Sequence, residues 1–74
     1  MRDSLRRRIV RYLHERPREP YTNSDLAFEL SAPEPSVRRA TLHALSLGDI
    51  VEVGKTSWHA YLYQAGQASR ELSF

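Results

Sequence analysis

The 74-residue chain has no cysteine, so neither a disulfide staple nor a thiolate metal site can form. Glycine is scarce. Its three residues, Gly48, Gly54 and Gly66, stand singly, and no GxGxxG or Walker-type phosphate loop is present. No stretch approaches the ~20 consecutive apolar residues of a membrane-crossing helix. His14, His43 and His59 are scattered and form no HExxH or other ligand pair, which argues against zinc. Ser57 lies near His59 but lacks a third, orienting group for nucleophilic catalysis. A chain this short also has little room for both a core and a deep, water-excluding pocket. The expectation is therefore a protein that is not an enzyme and has neither cofactor nor metal. Its charged N-terminal stretch and lack of an apolar leader point to the cytoplasm.

Acid and base are nearly balanced at a net charge of +2, but they are segregated along the chain. Residues 1–18 hold seven arginines against Asp3 and Glu15, a balance of 7 − 2 = +5, while residues 19–37 hold four acids and no base, a balance of −4. Ten of the eleven basic residues are arginine, whose planar fork suits phosphate and guanine. A basic face is thus possible on an almost neutral molecule.

Apolar periodicity divides the chain into five segments. Leu5, Ile9 and Leu13, broadened by Val10 and Tyr12, predict a first helix from Asp3 to Arg16, capped by Asp3 or Ser4 and stopped by Pro17. Thr22-Asn23-Ser24-Asp25 carries capping-box spacing ahead of a short second helix through Leu26, Ala27 and Leu30, with Phe28 at its edge. Ser31-Ala32-Pro33 breaks it. A third helix begins at Glu34-Pro35, where proline costs no hydrogen bond, and runs to Leu47, with Gly48 as its left-handed cap. Val37, Ala40, Thr41, Ala44, Leu45 and Leu47 give its apolar face, while Ser36, Arg39, His43 and Ser46 form an opposing polar stripe. The period then shortens to 2. Ile50–Val53 and Trp58–Tyr63 read as strands around a polar Gly54–Ser57 turn, with Trp58 and Tyr61 expected to pack. Residues 1–64 make one domain and 65–74 a tail, in which Leu72 and Phe74 are free to dock.

Three helices followed by a hairpin is a recognisable order. Thr22–Ala27, the Val37-Arg38-Arg39-Ala40 opening of the third helix, the Leu47–Val51 joint and the Gly54–His59 turn resemble the winged helix-turn-helix domains. In particular they are similar to the MarR and ArsR classes of bacterial regulators and to the short fimbrial-operon regulators. The resemblance covers residues 4–63. It implies an α+β winged fold, sequence-specific binding of double-stranded DNA and control of transcription, as a homodimer or with a partner regulator.

The chemistry at these positions fits that expectation. In helix-turn-helix proteins the N-terminal part of the second helix of the motif reaches base edges in the major groove. Here it offers Ser36, Arg38, Arg39 and His43. Arg39 can bind guanine O6 and N7 through both arms of its fork. Arg38 reaches a phosphate or pairs with Glu34 at i,i+4 spacing. Lys55, Thr56 and Ser57 offer a charge, two hydroxyls and backbone N–H groups to the DNA backbone. The Arg6-Arg7-Arg8 run is either a solvated face or a contact for phosphate or a second subunit. The alternative function is a winged-helix adaptor that binds proteins through its first helix, Leu72 and Phe74.

Overall fold

The computed structural model describes residues 4–66, so the Asp3 cap and the Leu72 and Phe74 contacts fall outside it. Helices α1 (Leu5–His14), α2 (Asn23–Leu30) and α3 (Glu34–Leu47) precede an antiparallel hairpin of β1 (Ile50–Lys55) and β2 (Tyr61–Ala65). This small α+β arrangement is consistent with the winged-helix layout. No described helix is long and apolar enough to cross a membrane.

Side chains set the helix ends. Ser4 Oγ accepts from the Arg7 N–H at the start of α1. The capping box of α2 is complete: the Asp25 N–H donates to Thr22 Oγ1 at 3.0 Å, and the Thr22 N–H to Asp25 Oδ2 at 3.1 Å. Both α2 and α3 then close with a left-handed residue, Ser31 and Gly48, each followed by a backbone bond reaching back to Ala27 or Ala44. The Leu30 carbonyl at the end of α2 accepts from Arg8 Nη2 at 2.8 Å, a cation meeting the negative end of a helix. Arg8 thus serves as a tie between α1 and α2.

The three helices enclose Ile9, Val10, Leu13, Leu26, Val37 and Ala44, and the hairpin closes this core with Ile50 and Tyr63. Tyr21 joins the outer edge of β2 through paired backbone bonds with Tyr63 at 3.0 and 2.8 Å, leaving β2 between Tyr21 and β1. The Tyr21 hydroxyl donates to Glu19, which pushes its pKa well above the usual tyrosine range, and its ring meets Tyr12 edge-on.

The hairpin departs from the sequence reading in register. A bulge at Val53, between the Glu52–Tyr63 and Gly54–Leu62 pairs, lets β1 run on to Lys55. The turn therefore lies at residues 56–60, and β2 starts at Tyr61 and ends at Ala65, which shifts Ala65 and Gly66 from the expected tail into the fold. Trp58, expected to pack, stands 88% exposed in that turn, and Tyr61 and Leu47 are also half-exposed. The later start of the return strand, three residues beyond where its apolar pattern suggests, accounts for Trp58 and Tyr61.

Asp49, buried at the α3–β1 joint, gathers the elements. Its carboxylate takes Arg6 Nη1 at 3.2 Å, and its carbonyl accepts from the Gly66 N–H at 2.9 Å and lies 3.1 Å from His14 Nε2. Gly66 approaches so closely that a Cβ there would sit 2.5 Å from the Gly48 oxygen. Gly66→Ala should cost about 1–3 kcal/mol, because the obstructing atoms are backbone and cannot rotate away. Gly54→Ala, with nothing within 4 Å of its Cβ, should range from neutral to about 1 kcal/mol stabilising. Urea midpoints of the two variants make the comparison; equal midpoints would contradict the close approach.

Burial likewise pushes the Tyr63 phenol up, against an opposing hydrogen bond from Asn23. The unfolded phenol ionises near ~10, so stability should be level below that pH and fall as pH rises toward the higher folded value. Denaturation at stepped alkaline pH checks this, with Tyr63→Phe expected to make the fall shallower and the share from Tyr21 to remain.

Candidate nucleic-acid interface

Helix α3 is held by one face and presents the other. Val37, Thr41 and Ala44 are buried, and the Thr41 hydroxyl sits 2.8 Å from Asn23 Oδ1 and 3.0 Å from the Arg38 carbonyl, so a polar group in the core finds an acceptor. This contact replaces the apolar packing expected at Thr41 and pins α3 to the start of α2. The rotation it sets leaves Arg38, Arg39, His43 and Ser46 exposed and Ser36 half-exposed. The expected polar stripe does face outward.

Its members differ in what they already hold. Arg38 Nη2 contacts Glu34 Oε2 at 3.1 Å, and Ser24 Oγ donates to Glu34 Oε1 at 3.0 Å. Of the two sequence readings of Arg38, the i,i+4 pair is the one formed. Both side chains are well exposed, so the pair is worth less than ~1 kcal/mol and can be exchanged for a phosphate. Arg39 has no carboxylate partner among the described residues; its Nη2 reaches Ser36 Oγ at 3.4 Å. Ser46 Oγ turns back to the His43 carbonyl at 2.7 Å.

The Arg6-Arg7-Arg8 run divides in the same way. Arg6 is engaged by Asp49 and Arg8 by the Leu30 carbonyl, while Arg7 is exposed. Two of these three guanidiniums therefore brace the fold.

The hairpin turn is built around Thr56. Its N–H donates to the Ala60 carbonyl at 2.8 Å, its carbonyl accepts from the His59 N–H at 2.9 Å, and its hydroxyl accepts from the Trp58 and Ala60 N–H groups at 3.2 Å each. His59 takes a left-handed conformation, φ 65°, to complete the reversal. Thr56 is thus occupied in shaping the turn, whereas Ser57 and Lys55 are exposed, with Lys55 Nζ 4.9 Å from the Tyr61 ring.

Between α3 and the hairpin runs a groove of about 450 Å³ lined by Leu42, Leu45, Tyr61 and Tyr63, with Asn23, Arg38 and Glu52 at its rim. It continues past His59 and Ala60 toward the N-terminus of α2. Leu42 and Trp58 are the surface residues that sequence reasoning missed. Leu42 lies one turn from Arg38 and Arg39 on the outward side and is 60% exposed. The only signal for it was its absence from the apolar stripe.

Thr56→Val keeps the shape of the residue and removes the acceptor for two N–H groups. Amide exchange at Trp58 and Ala60 should quicken while the exchange of α1 core amides stays unchanged; protection unaltered at both sites would deny the hydroxyl its role. No protein-family model, no curated protein and no solved structure matches this chain.

Proposed function

We propose that this protein binds double-stranded DNA sequence-specifically and regulates transcription, with α3 in the major groove and the end of the hairpin, residues 54–59, on the DNA backbone. The observation that carries the reading is the outward face of α3: Arg39, with no carboxylate partner among the described residues, flanked by Arg38, His43 and Ser36 on a helix buried along its opposite side. A helix fits the major groove, and a guanidinium free to fork is the commonest reader of guanine there. Lys55, Ser57 and Arg38 supply the backbone contacts that fix register without reading sequence. Residues 53–66 contain no acid, so the turn and β2 carry no side chain that repels a phosphate. A single domain of this size makes a limited DNA interface, ~600–1,000 Å². Pairing with a second copy or another regulator on adjacent half-sites would supply the rest.

The apolar groove between α3 and the hairpin favours a second reading, as an adaptor that binds a protein segment along Leu42 and Tyr61. Selection from a randomised duplex pool separates the two. DNA binding should enrich a recurring motif, and Arg39→Ala should cost about 1–3 kcal/mol of discrimination at one base pair. Lys55→Ala should weaken all duplexes alike and lower the salt slope by about one unit. No enriched motif, with affinity no tighter than a nonspecific ~10⁻⁴–10⁻⁶ M, would overturn the reading and leave the adaptor role.

A further inference from the structure

We propose that Trp58 is a DNA-contacting residue of the hairpin turn, stacking its indole on a base step that it helps to unstack. The inference rests on the duplex-binding reading and goes beyond the backbone contacts assigned to Lys55 and Ser57.

Trp58 is the sole tryptophan of the chain and, at 88%, the most exposed large apolar side chain among the described residues. An indole in water is usually a cost without a benefit to the fold, since aromatic rings stabilise a small domain chiefly by burial. Here the turn is shaped so that the ring stays out. The Thr56 hydroxyl receives the Trp58 and Ala60 N–H groups, the Thr56 backbone pairs with Ala60 and His59, and His59 adopts φ 65°. A turn held by four hydrogen bonds presents the indole with little backbone entropy left to lose on binding.

The surroundings favour a nucleic acid over a protein. Trp58 is flanked by Ser57 and His59, with Lys55 nearby in the chain and no acid anywhere in residues 53–66. The binding hot spots of protein interfaces sit inside an apolar patch that excludes water. Trp58 instead offers a π-face between Ser57 and His59 with Lys55 close in the chain, a combination by which aromatics stack on bases beside a charged backbone. His59 and Ala60 share a cleft with Glu34 and Arg38, so the turn lies alongside the N-terminal half of α3. With α3 on the duplex, Trp58 meets the same duplex. Apolar wedges at such positions unstack a step and bend the DNA, and they do so most readily at flexible pyrimidine–purine steps.

Two duplexes of identical base composition test this: alternating poly(dT-dA), rich in flexible steps, and poly(dA)·poly(dT), which is stiff. Binding is followed by anisotropy of labelled DNA, and Trp58 by its own emission, with no other tryptophan to confuse it. The expected result is quenching of Trp58 on both duplexes, tighter binding to the alternating one, and loss of that preference in Trp58→Ala, with affinity for it falling about 5- to 100-fold. Trp58→Phe should retain part of the preference. Thermal unfolding should match the wild type, since the side chain supports nothing in the fold. Binding with unchanged emission, or a preference that survives Trp58→Ala, would overturn the inference and leave the duplex reading standing. No binding to either polymer, with no motif from the pool, would remove both. Emission that shifts to the blue with rising protein concentration and no DNA would assign Trp58 to a contact between copies and overturn it too.

Discussion

The ion pair between Arg6 and Asp49, and the backbone bonds made by the same aspartate, hold four of the five elements together. The Asp49 N–H closes α3 on the Ala44 carbonyl, its carboxylate receives α1 through Arg6, its carbonyl receives the end of β2 through Gly66, and β1 begins at the next residue. A carboxylate this buried is costly unless paired and hydrogen-bonded. An apolar pair of similar volume can be as stable, so what the charge adds is register. Arg6 and His14 of α1 both meet Asp49 at the α3–β1 joint, and Gly66 passes close to the Gly48 carbonyl beside it.

That register decides what α3 can present. With its C-terminus locked at Gly48–Asp49 and its middle pinned by Thr41 to Asn23, the helix has no freedom to roll. Its outward face is therefore fixed as Arg38, Arg39, Leu42, His43 and Ser46. The same lock fixes where the hairpin leaves the body, which opens the groove beside Leu42 and Leu45 and carries the turn out beside the helix. Arg38 and Leu42 carry that outward face to the edge of the groove, where Tyr61 of the hairpin meets it.

Much of this was legible residue by residue. The capping box at Thr22 and Asp25, the Gly48 stop, and the opposition of Val37 and Ala44 to Arg39 and His43 depend on neighbours within one or two turns, and each formed as its spacing implied. Three features were not legible. Arg6 and Asp49 lie 43 positions apart, and nothing local distinguishes a bracing arginine from its exposed neighbour Arg7. The bulge at Val53 changes strand register without changing the alternation by which strands are recognised. Trp58 has strong strand propensity and falls in a run that alternates, so its place in the turn was hidden behind a good pattern.

The order and type of the elements could be read from the residues alone, because helix periodicity, caps and turn residues are written in short-range spacing. So could the polar, arginine-bearing face of α3. Which arginines brace the fold, how far α3 is rotated and that Trp58 faces solvent came from the folded arrangement. Those outcomes depend on contacts between residues far apart in the chain, where a buried carboxylate, a close backbone approach and a shifted strand register override local preference.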